Sequence, residues 1–578
     1  MADKLTLMLG GIQGEGIVST GDILIKALSR SGYYTYGCRT FSSRIKGGHT
    51  NYVMDICTEK IFSSSDQLDI LIAMDQDTIE INLFRLKDGG LLLYDDIVQV
   101  TALLQNEKSE KIQIIGFPFT SLAKQHGTTI MKNTAIVALI ARLLHLPYHS
   151  LEEVIRKQFQ KKGEEIISKN LAVASECYKF PLDDSFYHHY ALKTQTNTEN
   201  LTSLIGNEAI ALAALMAGCR FVAAYPITPA SEIMEYLIKK FPKYNGVMIQ
   251  TEDEISAVTM CIGASYAGCR SMTATSGPGI SLMMEGVGLS GMAEIPLVIV
   301  DSQRGGPSTG LPTKHEQSDI QILYYGPHGE IPSIIVTPYS VEECFYQTIE
   351  AFNLADKYQC PVFILSDLLL GLSRQTIDEL DKDRLLIDRG KLISSHELSE
   401  KQEVPFKRFA FTTDDISERS IPGQPFGMHS VTGIEHTEAG KPSEGPENRT
   451  AMMNKRLRKI KRLSDTDGIH LFDTSDSNIL ILSIGSNYGI IKRAVEESQL
   501  PVSYGMFTRI KPLPVKQLEE LLAKYDKVLV VENNGTSQLA AIIKQELGYH
   551  HKICSLLKYD GQPFRIEEVL AKVKEMMV

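Results

Sequence analysis

The stretch FVAAYPITPASEIMEYL, Phe221 to Leu237, sets an apolar run, two prolines and a helical pattern side by side. FVAA has the composition of a short buried strand. Pro226 holds Tyr225 extended. Pro229 is expected at the first helical position, where its missing N–H would be unpaired anyway. Thr228 then falls at the N-cap and Glu232 in the first turn. This arrangement is a rigid loop at a strand's carboxyl end, with Tyr225 and Thr228 beside a helix N-terminus. Such a place suits a ligand anion; a stiff structural turn would use the same residues.

Working outward, the same order of strand, loop and helix repeats. CRFVAAY, SMTATSG, IPLVIVDSQ and CPVFILSD alternate with helical patterns over residues 204–375, implying a parallel sheet covered by helices. NILILSIG, PVSYGMF and KVLVVEN mark a further α/β block at 468–578. At the other end, residues 1–193 open with the strand KLTLML, a Gly-rich turn and the helix VSTGDILIKALSRSG, and LDILIAMD and GGLLLYDD follow as short buried strands. The polar segment TQTNTENLTS, 194–203, reads as a linker. Between 376 and 467 the pattern fades into charge, Gly and Pro, an extended connector that ends in the basic helix NKRLRKIKRL. The fold class is therefore α/β and multidomain.

Composition narrows the function classes. The chain has 578 residues, 43% hydrophobic and 22% charged, which is core-forming material. A net charge of −11 argues against a nucleic-acid surface. No segment approaches the roughly 18 apolar residues of a membrane span, and the N-terminal apolar run is too short for a signal peptide. The nine cysteines form no C-x-x-C pair, so neither a cluster nor a structural zinc site is signalled in this chain. Scattered thiols point to a reducing, cytoplasmic location.

Several loops carry candidate chemistry. Gly10-Gly11-Ile12-Gln13-Gly14-Glu15-Gly16 could let backbone N–H groups approach an anion, or could serve only tight packing. It lacks the dinucleotide order and the ribose-binding acid of a nicotinamide site. Arg44 and Lys46, beside Gly47-Gly48, suit anion binding, an interface or a solvated loop alike. Glu252, Asp253 and Glu254 precede a helix of small residues. The first two answer the helix dipole. Glu254 is expected one turn further in, where a buried carboxyl can serve proton transfer. Thr275-Ser276-Gly277-Pro278-Gly279 forms a tight loop with a helix behind it. Arg304, on the Gly-rich loop RGGPSTG, is a carboxylate ligand by geometry. The loops holding Tyr225, Ser276 and Arg304 would then line one edge of one sheet, where open α/β sheets bind ligands.

GGIQGEGI, RTFSSRIKGGHTNY, AAYPITPASE, TEDEISAV, TATSGPGISLM and QRGGPSTGLPTKHEQSD, in this order, resemble the 2-oxoacid:ferredoxin oxidoreductases. More closely, the chain is similar to their alpha subunit with a gamma domain fused at its N-terminus. The resemblance implies a Rossmann-like gamma domain over 1–193, a thiamine-diphosphate pyrimidine-binding domain over 204–375, and a transketolase-C-like domain over 468–578. It implies thiamine diphosphate shared with a beta subunit that also carries Mg²⁺ and a [4Fe–4S] cluster. The implied reaction is oxidative decarboxylation of a 2-oxoacid, with coenzyme A taking the acyl group and ferredoxin the electrons. An (αβ)₂ heterotetramer is the implied assembly.

By the same resemblance Glu254 matches the acid that holds the aminopyrimidine ring, with Glu252 as its competitor. Thr228 and Arg304 match positions for the substrate carboxylate, and Tyr225 shapes the pocket. Ser276, Gly277 and Pro278 fall on the cofactor wall. Gly11, Gly14, Gly16, Arg44 and Lys46 are candidates for an anion or coenzyme A loop. No metal ligand is expected here. The fused form favours 2-oxoglutarate. Pyruvate or branched 2-oxoacids, a non-oxidative decarboxylase, and a non-catalytic assembly subunit are the competing readings.

Overall fold

The computed structural model describes residues 2–40, 48–100, 107–182, 189–195, 201–474 and 477–577. The chain divides into two compact units, one of residues 1–205 with 372–380 and one of residues 206–371 with 381–578.

The first unit is built on a mixed sheet of β1 (Lys4–Ile12), β2 (Tyr34–Thr40), β3 (His49–Cys57), β4 (Leu68–Ala73), β5 (Leu86–Asp95), β6 (Gln113–Phe117), β7 (Thr202–Ile205) and the later β14 (Arg374–Ile377). Their order is β6-β5-β4-β1-β3-β2-β14-β7. Helix Ile17–Arg30 follows β1 and buries Ile23, Leu24, Ala27 and Leu28 in the unit's core, the i, i+4 stripe expected of an amphipathic helix. Of the segment read as a linker, Thr202 and Ser203 belong to β7, and residues 196–200 lie outside the described residues.

The second unit holds two sheets. The larger contains β8 (Cys219–Ala224), β9 (Val247–Gln250), β10 (Arg270–Thr275), β11 (Leu297–Gln303), β12 (Ile334–Val336), β13 (Pro361–Asp367) and β18 (Arg509–Lys511). Its order is β18-β12-β13-β11-β10-β8-β9. All neighbours run parallel except β18, which lies antiparallel to β12. β10, β11 and β13 are buried along their whole length, and β11 and β13 open as apolar runs rather than alternating strands. The smaller sheet takes β15 (Ile469–Phe472), β16 (Ile479–Ser483), β17 (Val502–Phe507), β19 (Lys527–Glu532) and β20 (Ile553–Leu557) in the order β15-β17-β16-β19-β20. Side chains from both sheets, such as Ile299, Phe363, Leu480 and Val530, share one core.

The connector between the sheets is held down by buried charge. Glu294 is fully buried and receives Lys455 Nζ at 2.6 Å and Lys459 Nζ at 3.0 Å, both from helix Pro446–Lys461. Arg408 Nη2 donates to the Glu294 backbone carbonyl at 2.5 Å. Asp356 binds Arg270 (2.8 Å), Arg389 (2.8 Å) and Arg419 (2.7 Å). Glu435 takes a bidentate pair from Arg456, at 3.0 and 2.6 Å, and Arg449 at 2.7 Å. Burial alone would raise the Glu294 carboxyl, but its cations outweigh that and hold it well below the usual carboxylate range. Burial pushes Lys455 down to about 8 and Arg408 down to about 10. Among the described residues no helix is long and apolar enough to cross a membrane.

Candidate active site

β11, β10 and β8 are adjacent and parallel, so the loops that leave their carboxyl ends emerge from one edge of one sheet. These are the Tyr225, Ser276 and Arg304 loops.

The Tyr225 loop departs from expectation at its helix. Thr228 is not the N-cap and Pro229 not the first helical residue: helix Ser231–Lys240 starts later, with Ala230 at its N-cap and no side-chain cap. A turn intervenes, closed by Ala230 N–H donating to the Ile227 carbonyl at 2.8 Å. Buried Asn207 Nδ2 donates to the Pro229 carbonyl at 2.6 Å and fixes the turn from behind. Tertiary hydrogen bonds outweigh the local preference for Pro at a helix start. Tyr225 is 40% exposed at the rim, and Thr228 is half-buried.

Glu254 is also displaced from its expected position. Helix Glu254–Tyr266 begins at Glu254 itself, with Asp253 as N-cap accepting from Ser256 N–H at 2.7 Å. Even so, Glu254 is only 4% exposed, while Glu252 faces solvent. The Thr275 hydroxyl donates to Glu254 Oε1 at 3.3 Å. A Cβ at residue 279 would stand 2.5 Å from that oxygen, so the absence of a side chain at Gly279 is what leaves the carboxylate its room. Helix Gly277–Met292 starts just after β10, with Pro278 in its first turn. Ser276, its N-cap, is fully buried, and its hydroxyl has no hydrogen-bond partner among the described residues.

Arg304 is 7% exposed and its Nη1 donates to the Thr228 carbonyl at 2.6 Å, tying the first loop to the third. Its Nε is buried and lacks a hydrogen-bond partner among the described residues. Burial lowers the guanidinium's affinity for its proton, with Asp319 and Glu254 pulling the other way. The loop beyond turns back on itself through Gly305, whose N–H donates to the Lys314 carbonyl at 3.0 Å and whose carbonyl accepts from Leu311 at 2.9 Å. Among the described residues, one edge thus holds a buried acid, a buried cation with a free donor and an unpartnered hydroxyl. Such a set can hold a heterocycle by its nitrogens and a carboxylate by its oxygens.

Three contributors escaped the sequence reading: Thr275, Gly279 and Asp319. Gly279 belongs to the TSGPG motif but was not assigned to the site. Asp319 approaches from the segment before helix Ile320–Tyr325, and a Cβ at Gly277 would stand 2.5 Å from its Oδ1. That proximity has no local signature.

In the first unit Gly14 and Gly16 have φ of 95° and 89°, the left-handed region that favours glycine. Gly11 packs instead: a Cβ there would meet Ile17 Cδ1 at 2.9 Å. Lys132 pairs with Glu15 at 2.6 Å beside the turn. Arg44 and Lys46 lie outside the described residues.

Comparisons with known proteins match the chain over most of its length. Residues 212–455 match the family described as pyruvate flavodoxin/ferredoxin oxidoreductase, thiamine diP-bdg, and residues 6–180 match pyruvate ferredoxin/flavodoxin oxidoreductase. A 2-oxoacid:ferredoxin oxidoreductase subunit alpha from Sulfolobus is 33% identical over 99% of this chain and 97% of its own. A 2-oxoglutarate synthase subunit KorA from Methanocaldococcus jannaschii is 37% identical over 63% of this chain and 96% of its own. The solved 2-oxoglutarate:ferredoxin oxidoreductase from Magnetococcus marinus, with 2-oxoglutarate, coenzyme A and succinyl-CoA bound, is 32% identical. It covers all of both chains with a TM-score of 0.91.

Proposed function

The chain belongs to the 2-oxoacid:ferredoxin oxidoreductase family as an alpha subunit, and we propose that it works with a beta subunit to convert 2-oxoglutarate and coenzyme A to succinyl-CoA and CO₂. Electrons leave through a [4Fe–4S] cluster on the beta subunit to ferredoxin, and Mg²⁺ with the cofactor's diphosphate is also held there, in an (αβ)₂ assembly. The division of labour in this chain follows the segments 1–193, 204–375 and 468–578. The observation that carries the reading is the meeting, at one sheet edge, of buried Glu254 with buried Arg304, whose Nε is free among the described residues. The 2-oxoglutarate-linked relatives support the choice of substrate.

The residues present fit thiamine diphosphate. Glu254 is a buried acceptor beside the bare backbone of Gly279, and Ser276 holds a hydroxyl in the same wall that is unpartnered among the described residues. When bound, the cofactor supplies the nucleophilic carbon that attacks the 2-oxo group and takes up the electrons left by CO₂. Glu254 accepts a hydrogen bond from the aminopyrimidine ring and so sets which ring nitrogen carries a proton. Ser276, Gly277 and Pro278 form the wall on which the ring rests. Arg304 and Thr228 hold the substrate carboxylate, and Tyr225 closes the rim. The Gly14 and Gly16 turn, with Gly11 in the strand before it and Arg44 and Lys46, is the proposed coenzyme A loop.

The test is to co-purify the chain with its beta subunit and assay a panel of 2-oxoacids anaerobically, with coenzyme A and a viologen. The highest kcat/KM is expected for 2-oxoglutarate. A higher value for pyruvate or a branched 2-oxoacid would overturn the substrate assignment.

A further inference from the structure

The loop that carries Arg304 is fastened at a place this mechanism does not use. It leaves β11 at Gln303 and returns at Asp319, and two rungs join its limbs, one on either side of Arg304. Gly305 N–H donates to the Lys314 carbonyl at 3.0 Å, and Asp319 N–H donates to Gln303 Oε1 at 3.1 Å. Gln303 Nε2 in turn donates to the Ser366 carbonyl of β13 at 3.2 Å. On the return limb, between the two rungs, stands Gln317.

Gln317 is fully buried, and its side chain uses its whole hydrogen-bonding capacity. Nε2 donates to Asp367 Oδ2 at the end of β13 (2.9 Å) and to the Ile484 carbonyl just beyond β16 (3.3 Å). Oε1 accepts from Asn487 Nδ2 at 3.1 Å and from the Asn533 N–H just beyond β19 at 3.4 Å. The backbone is tied as well. Gln317 N–H donates to the Asn533 carbonyl at 2.7 Å, Asn534 Nδ2 to the Gln317 carbonyl at 3.1 Å, and Gln538 Nε2 to the Ser318 carbonyl at 2.9 Å. The place is distinctive in the smaller sheet. Strand order reverses around β16, with β17 on one side and β19 on the other, all parallel. Loops leaving two such strands bound the crevice where open α/β sheets receive ligands. In this chain the loops beyond β16 and β19 grip Gln317 instead.

We propose that Gln317 is a positioning residue: the smaller sheet holds it as an internal ligand and, through the two rungs, keeps Arg304 aimed at the substrate carboxylate. The proposal rests on the reading of Arg304 as that carboxylate's ligand. Arg304 Nη1 is already engaged by the Thr228 carbonyl, so the aim of the rest of the guanidinium depends on where the loop sets its backbone. The backbone on both sides of Arg304 is set by the return limb, and the return limb is set by Gln317. A shift of about 1 Å made away from the chemistry can cost on the order of 10²-fold. Glu254 stands on a separate helix, outside the rungs, so the loss should fall on substrate affinity rather than on turnover.

The experiment measures KM and kcat for 2-oxoglutarate, and KM for coenzyme A, in the complex with the beta subunit. The variants are Gln317→Ala, Asn487→Ala, their double variant and Arg304→Lys. Gln317→Ala should raise KM for 2-oxoglutarate about 10- to 10²-fold, with kcat within about twofold and KM for coenzyme A unchanged. Asn487→Ala removes one partner of the amide from the smaller sheet and should raise the same KM by a smaller factor. The double variant should add nothing to Gln317→Ala, because both act through one contact. An unchanged KM for 2-oxoglutarate in either single variant overturns the proposal. So does a loss carried in kcat, or one shared with coenzyme A, since a merely structural role would give that pattern. If Gln317→Ala does not fold, Asn487→Ala carries the test. Arg304→Lys separates the two readings. If it leaves KM unchanged, the carboxylate role of Arg304 fails. If it raises KM while the Gln317 and Asn487 variants do not, only the positioning role fails. Hydrogen exchange of the full chain gives a readout independent of turnover. Exchange over residues 303–319 should be faster in the variant measured, with β8 and β10 unchanged. Wild-type exchange across that loop overturns the proposal.

Discussion

Two regions of the second unit bury charge in opposite ways. Around the connector, Glu294, Asp356 and Glu435 each meet two or three cations at hydrogen-bond distance. At the sheet edge, Asp301, Ser276 and the Arg304 Nε are just as hidden, yet have no hydrogen-bond partner among the described residues. Paired charges hold a segment in place, because breaking one partnership strands another charge in a medium that solvates it poorly. Unpartnered groups give up that security and stay available to something that is not part of the chain. The connector is a fastening, and the sheet edge is the proposed receptor.

The largest effect should come from the receptor. Glu254→Ala is expected to lower viologen reduction by the assembled complex about 10²- to 10⁴-fold, with the chain's unfolding midpoint little moved. Near-wild-type turnover would sink the assignment of Glu254. The fastening should show the reverse pattern. Glu294→Gln leaves Lys455 and Lys459 buried without their acid, and chemical denaturation should report a loss of about 3–5 kcal/mol. If that variant lost turnover but no stability, the contrast between the regions would be wrong.

A subtler test uses acid. Glu435 is held by burial-opposing Arg456 and Arg449 at about 2, below its ordinary 4.5. A carboxyl lowered on folding contributes stability that is complete above its unfolded value and is lost as pH falls through the folded one. Stability should thus decline between pH 4.5 and about 2, and Glu435→Gln should flatten the decline in that window. An unchanged slope would remove Glu435 from the fastening. The smallest effect is expected from Glu252→Gln. Glu252 faces solvent, so turnover should stay within about twofold of wild type, since surface substitutions seldom matter. A large loss would reverse the choice between the two acids.

Much of the receptor was legible in the residues. Apolar runs ending in YPITP, TSGPG and RGGPSTG are local signals, and strands that alternate with helices must run parallel and expose their carboxyl ends together. The finer positions were not legible. Pro229 is a good helix starter by local rules, but the Asn207 hydrogen bond from a distant helix places the start later. The burial of Glu254 did not depend on its lying a turn into its helix, since it is the first helical residue and is covered by Thr275 and Gly279. NKRLRKIKRL read as a basic helix, with no hint that Lys455, Arg456 and Lys459 would be buried. Their acids, Glu294 and Glu435, lie elsewhere in the chain.

By itself the sequence determined the α/β class, the loops that share a sheet edge and the residue types offered there, because strand, turn and helix preferences act over a few neighbouring positions. Only the tertiary structure decided which buried groups find partners. Asp301 stands out in VIVDSQ as an acid in an apolar strand, but that it is fully buried with neither oxygen hydrogen-bonded among the described residues is decided by what packs around β11. Whether a charge fastens or receives depends on the dielectric around it and on the distance to its counter-charge, and both come into being only when remote segments pack together.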